Sequence, residues 1–421
     1  MNKLKLIGLS MLIFIAGACS SDVKEPEKII VTCPVNPSPV GSITDLTRSN
    51  IDCVNEFALE LLKTTESKFP GNICLSPVSI SAVISMLANG DDGEVRDELL
   101  TLLGFGNGSE GLAGLNNFNR VMLSNISYLD PATTCVFTNS YWHNPNMIIR
   151  DDFKNKIAES MFASVYAQTP SGEEGKEAIN KFVETFTNGM IKNFIERPLN
   201  DITSAFINTI YFKGEWSEEF YKEKTIKNDF RNLNGSLSKV DFMYKEEFEY
   251  GETEDGTKAV RLPYGNGSFY MTAILPSDKF NHTPLLECLD NDNLTQLNGT
   301  FRKTYHHSLL FPKFESSNKA DMIEVLKKMG LSKACDVRYG FNSIVEDGSD
   351  PVLKLFLHAS KVIIDESGTE GAAASMAGMI DSASPDPVPL EPLVFNRPFI
   401  YLIQEKTSGI ILFIGAVTDF S

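Results

Sequence analysis

Apolar and polar positions along the chain follow two periodicities, which predict strands and helices in alternation. Residues 204–216, SAFINTIYFKGEW, are rich in β-branched and aromatic side chains and are long enough for a strand in the middle of a sheet. Two further apolar runs flank Asn266 and Gly267 in VRLPYGNGSFYMTAILPSD, an arrangement typical of a β-hairpin. Because both periodicities recur along the chain, the pattern indicates an α+β fold.

Two segments combine a strand with the start of a helix. In NICLSPVSI, an apolar strand is followed by Ser76 and Pro77, which suit the cap and the first turn of a helix. In SLLFPKFESSNKADMIEVLKKMGL, an apolar strand precedes Met322, Val325 and Leu326, which recur at helical spacing. Each segment therefore predicts a strand that leads directly into a helix.

A segment near the C-terminus differs in composition from the rest of the chain. Residues 365–384, DESGTEGAAASMAGMIDSAS, contain mainly Gly, Ala, Ser, Thr and Met, and strongly apolar runs of strand type stand on both sides. A flexible linker is one interpretation of such small, nearly uncharged residues.

The N-terminal residues have the layout of an export signal. Residues 1–18 carry two lysines and then an apolar stretch that ends in small residues, which predicts a signal peptide. Ala16-Gly17-Ala18-Cys19 resembles a bacterial lipobox, with Ala16 in place of the usual Leu, so we expect lipidation of Cys19. An ordinary signal that ends near Ala18 is the alternative. The chain is therefore expected to be exported, as a bacterial membrane lipoprotein facing the periplasm or the cell surface.

Domain boundaries follow from the residues after this signal. Four prolines disfavour regular structure there, which predicts a lipid-anchored polar tether over residues 19–49. Residues 50–421 show no internal repeat and no second linker, so we expect them to form one large domain.

Composition and charge exclude several functional classes. A hydrophobic content of 42% supports a sizeable core, and a formal net charge of −17 argues against nucleic-acid binding, which needs a basic face. The seven cysteines show no C-x-x-C spacing, and neither a metal signature nor a hydrolase motif involves the five histidines. We therefore expect no metal, no cofactor and no enzyme activity. A disulfide between Cys33 and Cys53 is compatible with export.

Eight segments, taken in order along the chain, resemble the serpin family from about residue 50 to residue 420. They are NICLSPVSIS, INKFVETFTNGMIKNFI, FINTIYFKGEW, VRLPY with AILP, LLFPKF, FLHASKVIIDESGTEGAAAS, FNRPFIYLI and FIGAV. The resemblance implies the serpin fold, with three β-sheets, about eight to nine helices and an exposed reactive-centre loop at about residues 366–392. The small-residue segment then becomes the bait that a protease cleaves rather than a linker.

The resemblance also implies a mechanism. In serpins of the inhibitory type, the cleaved loop inserts as a new strand into the central sheet and carries along the protease, which is held as a covalent acyl complex. We expect a monomeric suicide-type inhibitor. Its partner is expected to be a target protease, with an elastase-like serine protease favoured. Its only membrane contact is expected to be the lipid on Cys19. The alternatives are an inhibitor of papain-like cysteine proteases and a non-inhibitory binding protein with the serpin fold.

The hinge of the loop matches that of inhibitory serpins. Its residues are Glu366, Gly368, Thr369, Glu370, Gly371, Ala372, Ala373 and Ala374. A strand that enters a sheet is buried on alternate residues, and from Thr369 onward the residues of one parity carry no charge and include one large side chain, Met379. The other parity begins with Glu370, which the outer face of a sheet tolerates. The sequence before Asp381 therefore does not oppose insertion.

Two further clusters match positions at which the central sheet of the family opens. The resemblance assigns to the middle of the sheet, called the shutter, the residues Ser76, Ser79, Asn208 and His358. It assigns to the top of the sheet, called the breach, the residues Trp216, Lys313 and Glu366. We expect a hydrogen-bond network in the shutter, and in the breach a Lys–Glu ion pair that holds the loop out of the sheet until cleavage.

The resemblance places the cleaved bond sixteen residues after the hinge glutamate, between Ser382 and Ala383. Counting back eight residues from Phe395 gives Pro387 instead, and proline beside the bond makes a poor substrate. The small Ser382 side chain suits a protease with a shallow pocket, and the absence of Arg and Lys from residues 367–392 disfavours trypsin-like targets. Alternative positions for the cleaved residue are Met379, Ile380 and Asp381.

Overall fold

The structure is a computed structural model that describes residues 29–34, 36–277, 285–304, 308–369 and 392–420. These ranges contain eight α-helices and three β-sheets, so the α+β class and the three-sheet fold expected from the sequence are confirmed. Numbered in chain order, the helices are α1 (Arg48–Lys68), α2 (Pro77–Ala88), α3 (Glu94–Leu102), α4 (Gly108–Asn125), α5 (Asp151–Met161), α6 (Gly172–Phe186), α7 (Asn291–Asn298) and α8 (Ile323–Lys328). Short 3-10 helices span Ile43–Asp45, Ile126–Tyr128 and Leu285–Cys288.

Sheet A has seven strands and carries the features on which the function depends. From one edge to the other, they are β1 (Ile29–Val31), β4 (Ser164–Tyr166), β3 (Thr133–His143), β5 (Ser204–Glu215), β15 (Gly368–Thr369), β14 (Leu357–Ile364) and β13 (Phe314–Asp321). β15 has only two residues and is antiparallel to both of its neighbours. We call the end of sheet A at which β15 lies its upper end, and the end at which β5 and β14 begin its lower end.

Sheets B and C complete the architecture. Sheet B contains β11 (Arg302–Thr304), β8 (Phe248–Glu252), β9 (Lys258–Tyr264), β10 (Phe269–Leu275), β17 (Phe399–Glu405), β18 (Ile411–Val417) and β2 (Ile73–Leu75). Sheet C contains β16 (Leu393–Val394), β12 (Leu309–Pro312), β7 (Leu237–Lys245) and β6 (Tyr221–Arg231). The hairpin expected around Asn266 and Gly267 joins β9 to β10.

The main apolar core lies between sheets A and B, with α2 inside it. Every residue of α2 is buried, because β5 of sheet A and β18 of sheet B both pack against this helix. As the sequence predicts, the Ser76 hydroxyl accepts a hydrogen bond from the Ser79 N–H, and Pro77 occupies the first turn. A second apolar cluster lies on the other face of sheet A, where Phe182 and Val183 of α6 pack near Ile207 of β5. The lower part of sheet A is therefore covered on both faces.

The N-terminal segment is folded against the domain from residue 29 onward. β1 pairs with β4 at the edge of sheet A and places Ile29 opposite Tyr166. Beyond this strand, the Cys33 N–H donates to Ser164 Oγ at 3.0 Å, and Ile43 is buried in the main core. The backbone of β1 thus pairs with an edge strand that lies far from it in the sequence.

The predicted tether over residues 19–49 is therefore too long. β1 contains no proline, and the described residues between it and the start of α1 lie against the domain. Cys33 and Cys53 both carry free thiols, and the Cys33 thiol instead donates to the Ala163 carbonyl oxygen at 3.4 Å. The signal peptide and Cys19 lie outside the described residues. No helix in the described part of the chain combines the length and the apolar character needed to cross a membrane.

Candidate functional site

Within the described residues, sheet A has a slot between β5 and β14. At the upper end, Thr369 of β15 lies opposite Gly214 of β5 and Ile364 of β14. Since each of these pairs is one strand spacing apart, β5 and β14 are about 9–10 Å apart at this level. Below β15, the facing edges of β5 and β14 pair with no described residue, although their other edges are fully paired with β3 and β13. We call this unpaired gap the slot.

The hinge enters the mouth of the slot and is fixed there through its backbone. The Ser367 carbonyl oxygen accepts from the Trp216 N–H at 2.9 Å, and the Glu366 carbonyl oxygen accepts from the Phe220 N–H at 3.0 Å. The Trp216 indole N–H donates to the Asp365 carbonyl oxygen at 2.9 Å. The residues after β5 therefore hold three successive hinge carbonyls in place.

The Glu366 side chain is anchored from sheet C and the start of β13. Its Oε2 lies 2.7 Å from Lys313 Nζ, and its Oε1 accepts from the Thr225 hydroxyl at 2.8 Å. Burial by itself would raise the pKa of this carboxyl, but the hydrogen bonds from Lys313 and Thr225 outweigh that effect and lower the pKa below its ordinary value. Glu366 is therefore ionised at neutral pH.

The expected Lys–Glu ion pair is thus present. It was expected to hold the hinge outside the sheet, but the structure places the first hinge residues inside it. Gly368 and Thr369 follow Glu366 directly and are already paired with β5 and β14. The reason is backbone hydrogen bonding, because β15 gives the upper ends of both strands a partner that they otherwise lack. The ion pair fixes Glu366 two residues ahead of β15.

Both residues of β15 fit their positions closely. Gly368 has φ 154°, and a Cβ atom there would lie 2.1 Å from the Gly214 carbonyl oxygen, so only glycine fits. Thr369 is 2% exposed, and its hydroxyl shares a 2.6 Å hydrogen bond with the Tyr264 hydroxyl. The Tyr264 ring stacks on Trp216 with 4.5 Å between ring centres. The first inserted side chain therefore faces a buried aromatic pair.

The shutter residues form one network beneath the slot. His358 of β14 accepts, at Nε2, the Ser76 N–H at 3.3 Å. The Ser79 hydroxyl donates to Asn208 Oδ1 of β5, and the Asn208 amide donates to Asn139 Oδ1 of β3 at 2.6 Å. The N-terminus of α2 therefore links the two strands that border the slot.

The electrostatics of His358 match this role. Complete burial lowers the pKa of His358 to about 4, because the charged imidazolium would be desolvated. The ring is therefore neutral at physiological pH, and a neutral ring keeps Nε2 free to accept the Ser76 N–H.

The structure thus brings together the shutter residues and the breach residues that the sequence singled out. Sequence reasoning missed four residues that contact them, namely Asn139, Gly214, Thr225 and Tyr264. Tyr264 closes the VRLPY segment, so its place in a family-like motif was a signal, whereas nothing local marks the other three. The rest of the hinge, Glu370, Gly371, Ala372, Ala373 and Ala374, and the candidate cleavage positions, Met379, Ile380, Asp381, Ser382 and Ala383, lie outside the described residues.

No cluster of His, Cys, Asp or Glu within the described ranges is placed to bind a metal ion. The five cysteines characterised there, which are Cys33, Cys53, Cys74, Cys135 and Cys335, are free thiols. Burial raises the pKa of each thiol, which disfavours the reactive thiolate. Neither a metal cluster nor a reactive thiol in the described residues thus suggests a function. The geometry around the slot is the feature of sheet A that does so most directly.

Comparison with known proteins identifies the family to which this sheet architecture belongs. A family model described as "Serpin (serine protease inhibitor)" matches residues 52–420. Serpin-Z10 of Arabidopsis thaliana is 32% identical over 379 residues, which cover 83% of this chain and 91% of that protein. Serpin-Z2A of Triticum aestivum is 29% identical over 389 residues, which cover 88% and 96%. The chain belongs to the serpin family.

Solved structures support the same fold. The thermophilic serpin tengpin in its native state has a TM-score of 0.79 at 24% identity, over 93% of this chain and 100% of that one. Thyroxine-binding globulin in complex with thyroxine has a TM-score of 0.77 at 23% identity, over 88% and 98%. Serpins are generally inhibitors rather than enzymes, so family membership supports protease inhibition in general.

Proposed function

We propose that this protein is an inhibitory serpin that traps a serine protease, with an elastase-like enzyme favoured, by inserting its cleaved loop into the slot. The observation that carries the proposal is the slot itself, with the hinge strand β15 already seated at its mouth between β5 and β14. The uncharged residues at the hinge positions that would be buried support inhibition over a non-inhibitory serpin-fold protein.

The bond chemistry is that of an interrupted proteolysis. The protease serine Oγ attacks the carbonyl carbon of Ser382, and the bond from that carbon to the Ala383 nitrogen breaks. The proton of the serine hydroxyl passes through the base of the protease to the leaving amine. The chain from residue 382 backward is then an ester of the protease, and the freed end at Ala383 no longer restrains it.

Insertion is favoured because no described residue supplies hydrogen-bond partners to the slot. The facing edges of β5 and β14 below β15 present backbone groups that pair with no described residue. An inserted strand pairs with both edges at once, and each such hydrogen bond contributes about 0.5–1.5 kcal/mol net. The small side chains expected at the buried positions keep the desolvation and packing costs low.

A denaturing gel tests the proposal. The protein is mixed with pancreatic elastase, and we expect a band near the summed mass of the two proteins, which survives boiling because the ester is covalent. Mass spectrometry should also find a released C-terminal fragment that begins at Ala383. Cleavage without any stable complex would contradict the inhibitory function and favour a substrate or a binding protein. A stable complex with papain but not with elastase would show a cysteine-protease target.

We further infer that the protein is exported as a bacterial lipoprotein through its N-terminal signal and Cys19. The support is the sequence layout of residues 1–19, together with the pairing of β1, which fixes where the N-terminal chain leaves the domain. Membrane fractionation of cells that express the full chain and its Cys19→Ser variant tests this. Recovery of the full chain in the soluble fraction would contradict it.

A further inference from the structure

The tip of the β9–β10 hairpin is bonded to the end of β5, next to the residues that hold the hinge. Tyr264, the last residue of β9, pairs with Trp216 in an isolated antiparallel bridge. The Gly265 N–H donates to the Glu215 carbonyl oxygen at 2.9 Å, and the Gly265 carbonyl oxygen accepts from the Ser217 hydroxyl at 2.8 Å. The hairpin tip therefore follows the position of residues 215–217.

On its other side, the hairpin tip is bonded to Asp130, which lies just before β3 and is 2% exposed. Oδ2 of Asp130 accepts from the Asn266 N–H at 3.3 Å and from the Thr133 hydroxyl at 2.6 Å, and Oδ1 accepts from the Ala132 N–H at 3.0 Å. The carbonyl oxygen of the preceding Leu129 accepts from the Asn266 side-chain amide at 3.1 Å. One buried carboxylate thus joins the start of β3 to the hairpin.

The contact between Asp130 and the hairpin is too tight to allow independent movement. Gly265 has φ 45°, and a Cβ atom at this position would overlap Oδ2 of Asp130, so only glycine lets the carboxylate approach. The residue before it is Tyr264, whose hydroxyl shares a hydrogen bond with Thr369 and whose ring stacks on Trp216. A shift of the hairpin tip therefore moves both aromatic side chains that contact the hinge.

We propose that Asp130 is a positioning residue for the hinge of the intact protein. Its carboxylate fixes the hairpin tip, the tip fixes Tyr264 and Trp216, and these two residues seat the hinge in sheet A. A carboxylate that only closed the turn before β3 would need just Ala132 and Thr133, whereas Asp130 also accepts from a residue 136 positions away. The seating is a property of the intact chain, and its bearing on inhibition rests on the function proposed above.

The variant Asp130→Asn tests this role against a matched control. An amide offers one acceptor atom and one donor group in place of two acceptor atoms, so a buried N–H of the turn or of the hairpin loses its acceptor. The control is Asp91→Asn. Asp91 is also buried, and its Oδ2 accepts the backbone N–H groups of Gly93 and Arg96 at the start of α3 rather than any group of the hairpin.

Hydrogen exchange of the intact chain, followed by mass spectrometry, measures how firmly the hinge is seated. The N–H groups of Trp216 and Phe220 donate to hinge carbonyls, so peptides that contain them report on the seat directly. We expect exchange there to be roughly tenfold faster in Asp130→Asn, because the loss of one buried hydrogen bond favours local opening. Exchange of the same peptides should not change in Asp91→Asn.

Fluorescence gives a second readout of the same site. The chain has two tryptophans, so Trp142→Phe leaves Trp216 as the single emitter. Trp216 is 5% exposed and is covered by the Tyr264 ring, so we expect Asp130→Asn to shift its emission to the red in this background. Asp91→Asn should leave the emission where it is.

A milder variant keeps the proposal testable if Asp130→Asn fails to fold. Asn266→Ala changes an exposed residue and removes its amide bond to Leu129, so we expect a smaller rise in exchange at the same peptides. Exchange at Trp216 and Phe220 that rises in neither variant, or no more than in Asp91→Asn, would overturn the inference. These readouts need no protease. A normal elastase complex would then leave the inhibitory function standing, whereas faster exchange in Asp130→Asn without any elastase complex of the unmodified chain would overturn that function and keep Asp130 as the positioning residue.

Discussion

His358 shows how one side chain combines burial with a fixed protonation state. It lies on β14 beside the slot, is fully buried, and accepts the Ser76 N–H through Nε2. A protonated ring would lose this acceptor and bring an unpaired charge into the core. The residue is therefore suited to the interior of the network only in its neutral form.

The depressed pKa of His358 makes stability depend on pH. Its pKa is about 4 in the folded protein against an ordinary value of 6.5, so between these values the unfolded chain binds a proton that the folded chain does not. Its contribution is complete above pH 6.5 and is lost as the pH falls toward 4. Between pH 7.5 and pH 4.5 we expect a loss of about 2–3 kcal/mol in the free energy of unfolding from this group.

Urea unfolding of the intact form at the two pH values measures this effect. The His358→Gln variant keeps an acceptor for the Ser76 N–H but does not titrate, so its stability should change less with pH by that amount. Equal pH dependence of the variant and the unmodified chain would show that His358 is not the titrating group.

At the scale of elements, β15 is the strand at which the proposed insertion would start. Its two residues pair with both neighbouring strands, while Glu366 just before them is bound to Lys313 and Thr225. An isolated two-residue strand has little stability of its own. The contacts around the breach therefore hold β15 in the sheet and direct the rest of the hinge toward the slot.

A charge on the buried side of the hinge should block insertion. Thr369→Arg places a guanidinium against Tyr264. For the matched control Glu370→Arg, strand alternation predicts the opposite, outer face, where Lys213 and Ile363 are half-exposed. We expect the first variant to be cleaved by elastase without forming the stable complex, and the second to form it as the unmodified chain does. A stable complex with Thr369→Arg would contradict the insertion mechanism.

Local elements were predictable from the sequence, but contacts between distant segments were not. The strand at 204–216 and the start of α2 depend on local periodicity and on a capping serine, and both appear as predicted. β1 depends on a partner strand more than 130 residues away, which no local pattern shows. The Tyr264 contact to Thr369 likewise joins sheet B to sheet A across 105 residues. The seating of β15 depends on which strand edges lack partners, and that is a property of the assembled sheet.

At the scale of the whole molecule, the described residues leave sheet A without a full strand between β5 and β14. Among the described residues, β5 and β14 are joined through β15 at the upper end and through the shutter network beneath the slot. A strand that paired with both facing edges would add backbone hydrogen bonds and so lower the free energy of the molecule.

Cleavage of the loop should therefore stabilise the molecule strongly. We expect the Tm to rise by tens of degrees after cleavage beyond residue 379, whereas a change of 1–2 kcal/mol shifts the Tm of a large domain by only a few degrees. Differential scanning calorimetry of the intact and the cleaved chain measures this. Coincident transitions would mean that the loop stays outside the sheet.

The position of β1 has a consequence for any surface to which the protein is attached by its N-terminus. Ile29 lies opposite Tyr166, which pairs beside Trp142 near the lower end of sheet A, at the end opposite to the hinge. Under the proposed mechanism, a protease carried down with the inserted loop would arrive at this same end. The chain between Cys19 and Ile29 reaches at most about 35 Å, so a captured enzyme and a supporting bilayer or bead compete for the same space. Dense immobilisation through the N-terminus should therefore slow insertion of the cleaved loop. The first binding of a protease to the uncleaved loop should be unaffected.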